Sequence, residues 1–180
     1  MSRRRYAELN AEQVAREAAH RALRTLKARA MESKRIPCVF EPYIAVKFLG
    51  ILAPMVNAEA VFKGKSLLAD KVGQRVAAEG FSLIDDAALD GGLATFPFDD
   101  EGVPAQRHVL IDQGLLKGFL YDNQAAHRAG LTSTGHARRV SFRSLPSISP
   151  SNLYIQAGKV TDAEMVGDLA EGLYITDLMG

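Results

Sequence analysis

The chain has one cysteine and no tryptophan among its 180 residues. A single thiol excludes an internal disulfide and fits a reducing compartment. Cys38, inside the run Ile36 to Phe40, reads as a small buried hydrophobe. An excess of one charge sign is missing too: 22 basic residues face 21 acidic ones, for a net charge of +1. Such a field neither drives nor forbids contact with nucleic acid or a membrane surface, so bulk charge is uninformative there; no nucleic-acid partner is expected on other grounds, since no motif for one is found. No apolar run approaches the roughly 20 residues of a spanning helix, so no membrane is expected. No apolar segment follows Met1 to Arg5, so no secretory signal is expected and the location predicted is cytoplasmic. Internal repeats, low-complexity tracts, a G-x-x-x-x-G-K-[ST] phosphate loop and a G-x-S-x-G nucleophile elbow are all absent.

What is present is 47% hydrophobic content, enough for one core, since a domain of about 150 residues hides roughly 70% of its unfolded surface. Residues 1–30 read as an amphipathic helix and 31–180 as the domain proper. Asn10 is placed to cap that helix with Gln13 at the reciprocal position. Ala15, Ala18, Ala19, Ala22, Leu23, Leu26 and Ala30 form a small-residue face suited to docking, with Glu12/Arg16 and Glu17/Arg21 paired on the wet side. His20 in it reads as solvated. Ile36 to Phe40 reads as a buried strand. Pro42 then opens a helix with Val46, Phe48, Leu49 and Leu52 on its apolar face, and Pro54 ends it near Ala53. A short helix is predicted over Ser66 to Val72, stopped by Gly73, and a strand over Phe81 to Ile84. Gly91-Gly92 marks a turn. Two apolar runs around Gln113-Gly114 predict a hairpin over Val109 to Tyr121. Asn123 is placed to cap a helix closing at Gly130, with His127 and Arg128 in its last turn. Leu131 to Asn152 is mostly loop. Leu153 to Gln156 returns to strand, Thr161 and Glu164 form a capping box for a helix ending at Gly172, and Leu173 to Leu178 is a last strand.

Candidate chemistry is sparse. Asp99, Asp100 and Glu101 do not match an EF-hand's alternating ligands, so the acidic stretch reads as a solvated turn. His108, His127 and His136 lack the close pairing of zinc ligands. The loop Ser133 to Arg139 is the best candidate for binding a peptide or an anion: Ser133, Thr134 and His136 supply hydrogen bonds, and Arg138 and Arg139 can hold a carboxylate or phosphate bidentately.

Several blocks in fixed order resemble one family. They are Ala60-Val61-Phe62-Lys63-Gly64-Lys65-Ser66-Leu67-Leu68-Ala69, the acidic turn Phe98 to Pro104, the ribbon Val109 to Tyr121, Ser133-Thr134-Gly135-His136-Ala137-Arg138-Arg139, Pro150-Ser151-Asn152-Leu153-Tyr154 and the closing Leu173 to Gly180. Together they look like the C-terminal half of the TldD/PmbA family, the modulators of DNA gyrase, and more like its PmbA (TldE) branch. The resemblance runs from about Ala15 to the last residue. It implies an α+β fold, a largely antiparallel sheet with flanking helices, truncated relative to the family. The TldD branch resembles a zinc metallopeptidase with a His-Glu-x-x-x-His motif on a helix. Aligned on the Ala-Val-Phe-Lys-Gly block, those positions fall at about Leu49, Gly50 and Pro54, none of which can bind zinc or act as a base. The resemblance therefore implies a non-catalytic subunit with no cofactor of its own, zinc on a TldD-like partner, and an unfolded or extended peptide as substrate. It also implies that the last strand, Leu173 to Leu178, lacks its family neighbours, which predicts self-association through that edge. Two other readings stay open: a stand-alone hydrolase with an unrecognised site, and a nucleic-acid or gyrase-associated module.

Overall fold

The structure, a computed structural model, describes residues 6–27 and 29–178. Met1 to Arg5 and the closing Met179-Gly180 lie outside the described residues. In chain order the elements are α1 (Ala11–Thr25), β1 (Cys38–Phe40), α2 (Pro42–Leu52), α3 (Ala58–Phe62), β2 (Leu83–Asp86), β3 (Arg107–Asp112), β4 (Leu115–Leu116), α4 (Asn123–Ala129), β5 (Ala137–Arg138), β6 (Ser147–Ile148), β7 (Leu153–Ile155), α5 (Asp162–Gly167) and β8 (Leu173–Ile175). The fold is α+β. Its centre is the antiparallel sheet β4-β3-β2-β7, beside the short antiparallel pair β5-β6 and a separate parallel pair β1-β8.

The predicted hairpin forms around Gln113 (φ 46°) and Gly114 (φ 82°), the consecutive left-handed residues that a tight two-residue turn requires. Only glycine fits the second position, because a Cβ there would lie 2.5 Å from the Ala77 carbonyl oxygen. β2 sits between β3 and β7 with all four residues buried. Leu83, Leu110, Ile111 and Leu116 carry the core from the sheet to Phe119, Leu120 and Ala125, and Val56, Ala58 and Ile148 close it. Main-chain bonds from Leu120 to Val56 (2.8 Å) and from Ala58 to Leu120 (3.1 Å) tie the α2–α3 junction to the chain leaving the hairpin.

Several elements differ from the sequence reading. Residues 66–72 form turns rather than a helix: Asp70 is left-handed (φ 59°), and the Ser66 hydroxyl, donating to Met55 O, accepts from Leu68 N-H. The helix lies earlier, as α3, capped by Asn57 on Glu59 N-H. β1 lies at the surface, and Cys38 is exposed rather than buried, because among the described residues its only strand neighbour is the equally shallow β8. β8 in turn is not bare, since it pairs with β1 along one edge. α1 begins at the predicted Asn10 cap but ends at Thr25, and Lys27 (φ 62°) turns the chain away before Ala30. Its small-residue face stays open to solvent; the helix is held by Arg21 on Glu41 (3.0 Å) and Arg24 over the Tyr174 ring. On α2 the buried residue is Ile44, while Val46 and Phe48 are exposed. α4 is capped by Asp122 on Ala125 N-H, one residue before the predicted Asn123, and ends as expected at left-handed Gly130. The Thr161/Glu164 capping box forms, but α5 stops at Gly167. No helix among the described residues is long and apolar enough to cross a membrane.

Candidate functional site

β2 extends two residues further than its apolar run suggests, and this carries Asp85 into the middle of the sheet, fully buried. A buried carboxylate needs donors. Asp85 Oδ2 accepts from Ser151 N-H (2.9 Å), and Oδ1 accepts from the Ser151 hydroxyl and faces His136 Nε2 at 2.8 Å. His136 is equally buried, and its Nδ1 lies 2.9 Å from Thr134 Oγ1. That oxygen also accepts from Tyr121 N-H (2.7 Å) and lies 3.0 Å from Tyr121 O. His136 Nε2 carries a proton toward the carboxylate. The single hydroxyl proton of Thr134 can serve either Tyr121 O or His136 Nδ1, and only the first choice requires the imidazole to hold two protons.

The order Thr134, His136, Asp85 is that of a nucleophile, base and carboxylate relay. Here the hydroxyl is already committed: Tyr121 N-H, Tyr121 O and His136 Nδ1 all lie within 3.0 Å of Oγ1. The cluster instead ties the 133–136 loop to β2 and to the chain at Tyr121. His108 joins it from β3: Nε2 sits 2.9 Å from Thr134 O and must be the donor, because a carbonyl only accepts. Its ring packs edge-on to that of His136 with centroids 5.3 Å apart.

Burial pushes the His108 imidazole below its ordinary value, and the neighbouring His136 adds to the effect. The folded state therefore binds fewer protons at this site than the unfolded chain. Its contribution to stability is complete above the unfolded pKa of about 6.5 and is lost as pH falls through that value toward the lower folded one. Urea unfolding at pH 7.5 and pH 5 is expected to show a smaller acid loss for His108→Gln, whose amide can still donate to Thr134 O, than for the parent. Equal losses would show that His108 does not titrate between the two states.

The acidic turn is a clasp rather than a solvated loop. Asp99 is buried: Oδ1 accepts from Glu101 N-H (3.0 Å) and Val103 N-H (2.9 Å), and Oδ2 accepts from Ala137 N-H (3.0 Å). Asp100 Oδ2 takes Arg139 N-H (2.6 Å), and Glu101 Oε2 takes Asn123 N-H (2.9 Å). The three carboxylates serve donors from different segments and share no centre. Among the described residues no group of three or more His, Cys, Asp or Glu is arranged to hold a metal ion.

Of the residues picked out for binding, Ser133, Thr134 and His136 are brought together, with Ser133 Oγ donating to Tyr121 O (3.2 Å). The Arg138 and Arg139 side chains part from them. Arg138 lies over the Phe96 ring (4.2 Å) with Nε 4.0 Å from Asp100, and Arg139 Nη1 donates to Ser144 O (2.6 Å). In front of the cluster opens a cleft of about 700 Å³, lined by Gln106, His108, Asn123, His127 and Thr132 to Thr134, with Val103 and Leu131 as its apolar wall. It holds no carboxylate and no lysine or arginine. Asp85, Tyr121 and Ser151 escaped the sequence reading. The one available signal was two adjacent acids directly after an apolar strand run, where charges are rarely buried without partners.

A family model, the PmbA/TldA metallopeptidase C-terminal domain, matches residues 33–180, and the chain belongs to this PmbA/TldD family. A metalloprotease of Methanocaldococcus jannaschii is 32% identical over 168 residues, covering 93% of this chain and 37% of its own length. The metalloprotease PmbA of Escherichia coli O157:H7 is 28% identical over 169 residues, covering 94% and 35%. Among solved structures, TldE from Thermococcus kodakarensis superposes with a TM-score of 0.86 at 31% identity, over 95% of this chain and 39% of that one. A Thermotoga maritima protein described as a modulator of a DNA gyrase gives 0.91 at 29% identity, over 99% and 40%. The chain thus spans well under half the length of these relatives.

A zinc site of the kind the resemblance places on the TldD branch does not fit the residues at positions 49, 50 and 54. Leu49 packs half-buried against the core, Gly50 offers no side chain, and Pro54 lies in the 3-10 turn that follows α2 once the helix has ended at Leu52. Neither a ligand atom nor a continuous helix is available there.

Proposed function

We propose that this chain acts as a non-catalytic, PmbA/TldE-like subunit of a cytoplasmic metallopeptidase assembly whose zinc and cleavage chemistry reside on a TldD-like partner. The observation that carries this reading is the occupancy of the motif positions by Leu49, Gly50 and Pro54, with α2 ending at Leu52. The substrate is an extended or unfolded peptide, and this chain's contribution is to hold it. The uncharged cleft in front of Thr134 supports that role. Its amides, imidazoles and hydroxyls offer donors and acceptors to a peptide main chain without attracting ions. The buried cluster behind keeps those groups in place.

Elemental analysis of protein purified without chelators should give far less than one zinc per chain, and the isolated chain should leave an unfolded peptide intact. Affinity capture from the native cell should return a TldD-like chain whose peptidase activity it accompanies. One tightly held zinc per chain, or cleavage by this chain alone, would overturn the reading.

A further inference from the structure

The groups that line the cleft in front of Thr134 are not held alike. Gln106, Asn123, His127 and Thr132 are exposed there, and among the described residues their side chains make no hydrogen bond. An amide, hydroxyl or imidazole that is free to turn can show a donor or an acceptor on demand, so none of these four selects what it meets.

His108 differs. Its Nε2 donates to Thr134 O at 2.9 Å, its ring is set edge-on to that of His136 with centroids 5.3 Å apart, and His136 is in turn fixed 2.8 Å from Asp85 in the middle of the sheet. The carbonyl only accepts, so the proton of the neutral ring is committed to Nε2 and Nδ1 is left with a lone pair. That nitrogen has no partner among the described residues. It is not shut away either, because the one buried side-chain nitrogen or oxygen without a partner among them is Glu41 Oε2. His108 lines the cleft, which therefore holds an acceptor whose position and polarity are both fixed by the fold.

We propose that His108 Nδ1 takes a main-chain N-H of the extended peptide held in this cleft and so sets its register, a contact that only the uncharged imidazole can make. This rests on the peptide-holding reading above and adds to it the group that decides how the peptide lies. A peptide carbonyl at Nδ1 would set acceptor against acceptor, and proline has no N-H to give. Successive residues of an extended chain face opposite ways, so fixing one N-H fixes which side chains turn toward Val103 and Leu131.

Protonation would turn Nδ1 from acceptor into donor. The titratable groups around the ring are His136 against it, Asp85 behind His136, and His127 of α4 on the same cleft. Burial and His136 favour the neutral ring and outweigh the Thr134 O contact and Asp85, which favour the charged one. Peptide binding should therefore be complete above the ordinary imidazole value of about 6.5 and be lost as pH falls through the lower value of the folded chain.

Two measurements on the full chain test this, with a short end-blocked peptide of alternating leucine and serine as the probe. Long-range nitrogen–proton spectra at pH 7.5 should show His108 protonated at Nε2 and bare at Nδ1, with the Nδ1 signal moving when the probe is added. In binding titrations, His108→Gln keeps a donor for Thr134 O but has no acceptor in the place of Nδ1, so it should bind the probe about three- to tenfold more weakly, the worth of one neutral hydrogen bond. The parent should weaken toward the variant as pH is lowered to 5 with circular dichroism still native, and His127→Gln should keep that acid loss. A probe methylated at its main-chain nitrogens should bind the parent no better than the unmodified probe binds His108→Gln. The spectra and the pH 7.5 titrations decide the matter even where acid unfolds the chain. A proton on Nδ1 at pH 7.5, a His108→Gln variant that binds as the parent does, indifference to methylation, or an acid loss that follows His127 would each overturn the assignment and leave the cleft a peptide site. A parent that does not bind the probe would overturn the peptide-holding reading and the assignment with it.

Discussion

His136→Ala is expected to destabilise the fold by about 3–5 kcal/mol, the range for leaving a fully buried carboxylate short of one of its partners. Asp85 would keep only the Ser151 donors in a fully buried position, and Thr134 would lose a neighbour on the side facing the core. A domain's whole stability is about 5–15 kcal/mol, so the variant should be partly unfolded at 37 °C. Asp85→Ala should cost a similar amount. The double variant should cost clearly less than the two single losses added, because both break the same contact. Urea unfolding of the four proteins measures this directly. A loss under about 1 kcal/mol for His136→Ala would place the pair among ordinary neutral hydrogen bonds and would mean that water replaces the imidazole.

Asp99→Ala should come next after the Asp85 and His136 variants. Three main-chain N-H groups lose their acceptor at once, and bonds to a charged group are worth roughly 1.5–3 kcal/mol each. Glu101 is exposed and Val103 only half-buried, so water can reach them and the expected total is about 3 kcal/mol, short of the sum. Asp99→Asn should recover only part of it. Its Oδ1 can serve Glu101 and Val103, but its NH₂ then faces the Ala137 N-H, donor against donor. Amide exchange at Ala137 should quicken in both variants. Protection at Ala137 equal to the parent's in Asp99→Asn would show that the Oδ2 contact is dispensable.

Local grammar made much of the architecture legible. Asn10, Thr161 and Glu164 announce their helices through capping chemistry, Gln113-Gly114 announces the hairpin through backbone conformation, and Pro42 and Gly130 mark helix ends. Each signal acts within a few residues. The site was less legible because its bonds cross long stretches of chain: Asp85 meets His136 51 residues on and Ser151 66 residues on, and Asp99 meets Ala137 38 residues on. Nothing within a window around Asp99 distinguishes a buried clasp from a wet acidic turn. The misplaced helix at 66–72 has the opposite cause. Its composition suits a helix, but Ser66 spends its hydroxyl on Met55 O and Leu68 N-H, and the tertiary contact wins over propensity.

The β1-β8 pair gives the fold an order of assembly. Cys38 to Phe40 lie against Leu173 to Ile175, flanked by the ion pairs Lys34–Glu171 and Lys47–Asp177, which span 137 and 130 residues. Closing so long a loop costs about 2 kcal/mol more than closing one of roughly 20 residues, because the entropy grows only with the logarithm of length. That penalty is small against a deep core but large against two three-residue strands lying at the surface. The β2-β3 pair of the four-stranded sheet closes only the connection from Asp86 to Arg107, so it can stand while the β1-β8 pair is apart. β1 and β8, with α1 and α5 beside them, are then expected to be the last part of the molecule to come together and the first to let go, a unit whose amides should exchange faster than those of the four-stranded sheet.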